Sequence, residues 1–171
     1  MHYKGHLITD KLPTGDAIRK ILKKYSEYEP GIKKFEYDWY AVGGRYGGRI
    51  KIKFNPEENE DDYCLFKHRN NKYFISSLIN KLDNNTLSYD ELDILKYMGL
   101  NDNILYVDGG YYKDMIDFEL DNCYVIITED EAIPRQIWNG EDWIDNDATF
   151  IKKVSEISLE NKFITVIDFH D

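Results

Sequence analysis

Four of the chain's eleven glycines fall within six residues: Gly43, Gly44, Gly47 and Gly48. No other feature constrains the fold as strongly. Glycine admits positive φ and lets other groups approach the backbone closely, so a cluster this dense reads as a turn with separate elements on either side. Residues 35–42 and 49–54 are rich in aromatic and β-branched side chains and read as strands, which the glycine turn is expected to join.

The other elements follow from periodicity and punctuation. His2–Thr9 reads as a first strand. Thr14 is placed to cap a helix in which Ile18, Ile21, Leu22 and Tyr25 share one face, with Pro30-Gly31 as its stop. Residues 73–82 read as a helix with Phe74, Leu78 and Leu82 on one side. Ser88 and Glu91 have capping-box spacing, and Leu92, Leu95 and Met98 would continue that helix to Gly99. Strands are expected at 104–107 and 111–118, turned at Asp108-Gly109-Gly110, and at 123–128. Residues 133–138 and 142–144 flank Asn139-Gly140, a strong hairpin signal. Phe150, Ile151, Val154 and Ile157 have helical spacing, and 163–169 is a final apolar strand. The order predicts a single α+β domain spanning 1–171, with a mixed or antiparallel sheet and helices on one face. A ferredoxin-like core with inserted hairpins would satisfy it.

Apolar residues make up 42% of the 171 residues, enough for a core and against wholesale disorder. The net charge of −10 is unevenly spread. Residues 1–55 hold twelve Lys/Arg against six Asp/Glu, and the remainder holds ten against twenty-six. A net negative charge argues against duplex DNA or an anionic membrane as partner, but leaves room for a small phosphate ligand in the basic third. No apolar run approaches the roughly 18 residues that span a bilayer. Met1-His2-Tyr3-Lys4 lacks the apolar core of a signal peptide. Cys64 and Cys123 match no metal or redox spacing and read as reduced thiols. The expectation is a cytoplasmic protein; oligomeric state is left open.

The segment 38–49 is the one that looks specialised. Gly43, Gly44, Gly47 and Gly48 can aim N–H groups into an anion-binding nest. Arg45 and Arg49 can add contacts to a phosphate, while Trp39, Tyr40 and Tyr46 can stack on a base or sugar. The bland alternative is a hairpin whose arginines pair with carboxylates such as Asp38. The Lys-Ser/Thr ending of a P-loop is absent, and a strand rather than a dinucleotide-binding helix follows.

Catalytic signatures are sparse. The histidines are His2, His6, His68 and His170, with no HExxH pair. The paired His-x-Thr/Ser tripeptides of two-histidine phosphoesterases are also missing, and no cofactor or metal is called for. Asp168 and His170, two apart on a strand, point to one face. If that strand lies beside the glycine turn, both meet Arg45 in one cleft, and His170 becomes a candidate acid–base group. Otherwise His170 is a frayed terminal residue. Residues 117–147 carry ten carboxylates and one base, Arg135. This is either a solvated face or a mimic of nucleic-acid phosphates, with Glu129, Asp130 and Glu131 as contacts and Trp138 and Trp143 as anchors.

Three patches carry a resemblance. Asp38-Trp39-Tyr40-x-x-Gly43-Gly44-Arg45, followed by Gly48, resembles the DWYxxGGRWxG signature of small bacteriophage and prophage proteins of no settled activity. Trp138-Asn139-Gly140-Glu141-Asp142-Trp143 is similar to their xDGxW hairpin, and Thr165-Val166-Ile167-Asp168-Phe169-His170 to their TVVDCH ending. Tyr46 stands where the signature has Trp and Phe169 where the ending has Cys, and the acidic run 55–62 has no counterpart. The resemblance implies a mobile-element origin and, with it, host takeover or counter-defence. Two functions follow as expectations. One is a protein that sequesters or cleaves a nucleotide-derived immune signal of a bacterial host. The other is an acidic, anti-CRISPR-like inhibitor of a basic nucleic-acid-handling host protein.

Overall fold

A computed structural model describes residues 1–31, 33–46, 50–53, 65–68, 71–92, 104–107 and 109–171. In chain order the elements begin with β1 (His2–Thr9), α1 (Gly15–Lys23), β2 (Trp39–Val42), β3 (Ile50–Lys53), β4 (Leu65–His68), β5 (Asn71–Phe74) and α2 (Ile75–Asp83). They continue with β6 (Ile104–Val107), β7 (Gly109–Tyr111), β8 (Val125–Ile127), β9 (Ala132–Pro134), β10 (Gln136–Trp138), β11 (Trp143–Asp145), α3 (Asp147–Glu156) and β12 (Phe163–His170).

The fold is α+β, built on a mixed six-stranded sheet ordered β2-β12-β1-β8-β9, with β7 also paired to β12. The first and last strands form its centre. β1 and β12 pair antiparallel along their whole length, from His2↔His170 to Thr9↔Phe163. The outer side of β12 is shared: β7 takes Phe163, Ile164 and Thr165, and β2 takes Ile167 to His170.

Two apolar layers form because side chains alternate along a strand. Ile8, Ile126, Ile164 and Val166 pack with Leu78 of α2 and Phe150 of α3. Leu7, Val125, Ile127, Ile167 and Phe169 point the other way, onto Ile18 and Leu22 of α1. The helices therefore cover both faces, not the single face expected from sequence. β1 also pairs parallel with β8, so an all-antiparallel, ferredoxin-like core does not form. The physical reason is that β1 and β12 are apolar on both faces along part of their length, and each face needs cover.

Local signals held where they were self-contained. Thr14 caps α1, its hydroxyl accepting from Ala17 N–H at 3.2 Å. Ser88 and Glu91 form the capping box, with reciprocal bonds of 2.9 and 3.2 Å. Trp138↔Trp143 pairing forms the Asn-Gly hairpin.

Pairing expectations failed where distant strands competed. β2 and β3 do not pair; β2 joins β12 and β3 joins β6. Gly109 and Gly110 are strand residues against β12 rather than a turn, and a 3-10 turn at Tyr112–Asp114 ends that strand before residue 118. α1 stops at Lys23, well before Pro30, because Tyr25 and Ser26 turn back toward Tyr37. Phe35 and Tyr37 are core residues ahead of β2, not part of it. Residues 71–74 are a strand before α2, and a bend at Arg135 splits 133–138 into β9 and β10. The acidic run 55–62, Cys64, Leu95, Met98, Gly99 and Asp108 lie outside the described residues.

Among the described residues, no helix is long and apolar enough to cross a membrane.

Candidate functional site

The layer that contains Ile8, Ile164 and Val166 changes character toward the chain termini. Continuing by twos along β1 and β12, the same face carries His6, Lys4 and His2, and Asp168 and His170. The register sets His2, His170 and Trp39 in one row across three strands, with Lys4, Asp168 and Ala41 in the next. This row is the candidate site.

Each histidine is held by its own carboxylate. His2 Nδ1 lies 3.0 Å from Asp168 Oδ1, and His170 Nδ1 lies 2.9 Å from both oxygens of Asp38. A carboxylate only accepts, so Nδ1–H donates in both rings and Nε2 is left for a ligand. The two imidazoles meet edge to face with centroids 4.7 Å apart. Trp39 stacks on His170 at 5.1 Å and 12°, and meets His2 edge-on at 5.3 Å. His170 is thus a paired strand residue, not a frayed end.

The glycine turn supports this arrangement from above. Gly43 N–H donates to Val166 O at 2.8 Å, and Arg45 N–H donates to Asp168 Oδ2 at 2.9 Å. Asp168 is only 2% exposed, and a buried carboxylate needs such partners. The Arg45 guanidinium adds an ion pair at 3.9 Å. Gly44 has φ +51°, and a Cβ there would sit 2.3 Å from Asp168 Cβ, so no side chain fits. The turn does receive an anion through an N–H group, as its composition suggested, but that anion is the chain's own Asp168.

Beside the row runs an open depression of about 480 Å³, lined by His2, Lys4, Tyr46, Asn122 and Arg135 among others. A smaller cavity of about 150 Å³ continues past Lys4 and Tyr46 to His6. Lys4 has no ion-pair partner among the described residues. His6 is buried and donates from Nδ1 to Leu120 O at 2.8 Å. Burial pushes its imidazole down to about 4, so it is neutral near pH 7. Burial likewise pushes the Cys123 thiol up to about 12, which removes it as a nucleophile. Burial, then the Asp168 charge, hold the Tyr46 phenol above its ordinary range.

The other sequence candidates separate. Tyr40 points to the opposite layer, edge-on to Tyr37 at 5.7 Å, because it alternates with Trp39. Asp38 holds His170 rather than an arginine. Gly47, Gly48 and Arg49 lie outside the described residues. Glu129, Asp130 and Glu131 sit on the β8–β9 turn, where Glu131 already pairs with Lys153 at 2.5 Å. Trp138 and Trp143 remain 45% and 52% exposed, with ring centroids 5.6 Å apart. Among the described residues, no group of three or more His, Cys, Asp or Glu is placed to hold a metal ion.

Sequence reasoning missed His2. Its signal was the alternation His2, Lys4, His6, Ile8 on one strand face, which marks polar residues leading into a core. The pairing of Asp38 with His170 had no local signal.

No protein-family model matches the chain, and comparison with curated proteins and with solved structures finds no match.

Proposed function

We propose that the protein binds a nucleotide-type phosphate ester over the His2–His170–Trp39 row. The observation that carries this reading is the row itself: two imidazoles 4.7 Å apart, each held through Nδ1 by a separate carboxylate. Around them stand the chemical parts such a ligand needs. Trp39 is 45% exposed and offers a stacking surface. The exposed Arg45 guanidinium and the Lys4 ammonium, which has no ion-pair partner among the described residues, offer positive charge to a phosphate. With the phage or prophage origin that the sequence resemblance implies, the natural ligand would be a nucleotide-derived immune signal in the host cytoplasm, sequestered or cleaved in counter-defence. Calorimetry with mono-, di- and cyclic nucleotides tests it. We expect saturable binding that weakens at least about tenfold in Arg45→Ala and in Trp39→Ala, the loss of one stacked or charged contact. Binding to none, or binding indifferent to both substitutions, overturns the proposal.

A second reading has its own observation. Trp138 and Trp143 pair on a hairpin that also exposes Glu141, Asp142 and Asp145. An acidic, aromatic edge of this kind suits a basic nucleic-acid-handling host protein. It requires salt-sensitive association that Trp143→Ala and charge reversal at Glu129, Asp130 and Glu131 abolish.

A further inference from the structure

We infer that the site cleaves ribonucleotide phosphodiesters by transfer to the neighbouring 2′-hydroxyl, with His2 and His170 as its acid–base pair. The inference rests on the reading that the row binds a nucleotide-type ligand, and it adds a reaction and a substrate class. Binding alone would need neither of two features. The first is that both rings are orientationally fixed: Asp168 takes the Nδ1 proton of His2 at 3.0 Å and Asp38 that of His170 at 2.9 Å. A carboxylate behind an imidazole sets its tautomer and supports the charge it gains when Nε2 takes a proton. The second is duplication. Two such rings meet edge to face with centroids 4.7 Å apart, so a phosphate ester laid across both rings can lose a proton to one and gain a proton from the other.

Transfer within a ribonucleotide uses such a pair fully. Nε2 of the neutral ring takes the proton of the 2′-hydroxyl as O2′ forms its bond to phosphorus. The P–O5′ bond breaks, and the departing O5′ takes the proton from Nε2 of the protonated ring. The products are a 2′,3′-cyclic phosphate and a free 5′-hydroxyl, and the two rings have exchanged protonation states. No outside oxidant, reductant or co-reactant is required. Lys4, beside His2 on the same face and without an ion-pair partner among the described residues, stands where charge gathers on the phosphoryl oxygens. Among the described residues, the charged groups facing the pair are Asp168 from β12, Asp38 just ahead of β2, Arg45 from the glycine turn and Lys4 from β1.

The test compares 3′,5′-linked ribodinucleotides, linear and cyclic, with their 2′-deoxy counterparts, following binding by calorimetry and products by phosphorus NMR. We expect ribonucleotide substrates to yield 2′,3′-cyclic phosphates while the deoxy counterparts bind and stay intact. His2→Ala and His170→Ala should each lower the rate by about 10²-fold or more, the ordinary contribution of one acid or base, while circular dichroism and thermal unfolding close to those of the unaltered protein show that they fold. Asp38→Asn and Asp168→Asn should reshape the dependence of kcat/KM on pH, a change that a purely structural role would not produce. Ribonucleotides that bind but stay intact overturn the inference and leave the binding reading standing, as does cleavage that survives either histidine substitution or that ignores the 2′-hydroxyl. Failure of ribo- and deoxy forms alike to bind overturns the binding reading beneath it.

Discussion

The two ends of the β1–β12 ladder share one sheet face and one alternation, yet they do opposite things. At the far end Ile8, Ile164 and Val166 lie sealed under Leu78 and Phe150. At the near end His2, Lys4, Asp168 and His170 lie beneath a glycine turn and beside an open depression. Burial at the first end is apolar and stabilises by exclusion of water. At the second end a carboxylate is buried, at a cost that hydrogen bonds from His2 and Arg45 must offset. The contrast teaches that a continuous ladder can anchor a polar site: the sealed end holds the register that places His2 opposite His170.

The largest effect should come from breaking the sealed end. Phe150 has no solvent exposure and its ring carries the Arg135 guanidinium 4.2 Å from its centroid. Phe150→Ala should cost about 3–5 kcal/mol in urea unfolding. If the sealed end only anchors the site, nucleotide binding by the folded fraction should be little changed.

His6 marks the boundary between the two ends, and it sharpens the comparison through pH. Its imidazole titrates at about 4 in the folded protein against 6.5 for an ordinary histidine. The unfolded chain therefore takes up this proton first as pH falls. The stability tied to His6 is full above pH 6.5 and is lost progressively toward pH 4, a swing of about 3 kcal/mol. His6→Asn keeps a donor for Leu120 O and cannot titrate. Thermal unfolding between those pH values should show the variant with the flatter dependence; equal slopes would place the acid sensitivity elsewhere.

The smallest of the three breaks the near end. Gly44→Ala forces a Cβ against Asp168 at a positive φ, costing about 1–3 kcal/mol. Nucleotide affinity should fall with it, since the displaced carboxylate no longer fixes His2. Loss of stability with unchanged affinity would separate the turn from the site.

Much of the local structure was legible without coordinates. Thr14, the Ser88/Glu91 pair and Asn139-Gly140 act over a few residues, and each did what its chemistry dictates. The glycine turn was legible as a turn but not as the seat of Asp168, because its partner comes from β12. The expected β2–β3 hairpin failed for the same reason: β2 gained more by adding to the side of β12, extending a sheet covered on both faces. Of the candidate site, Trp39, Arg45, Asp168 and His170 were visible from spacing and composition. His2 was not, since the carboxylate that orients it lies 166 residues away.

By itself, the sequence determined the α+β class, the caps and turns, and the presence of an unusual glycine, arginine and aromatic segment, all properties that depend on neighbours along the chain. Only the tertiary structure decided that the first and last strands pair, that helices cover both faces, and that two histidines each acquire a carboxylate. Those outcomes depend on which apolar faces can be buried together. That choice is made among segments far apart in the chain, where no short-range rule of spacing applies.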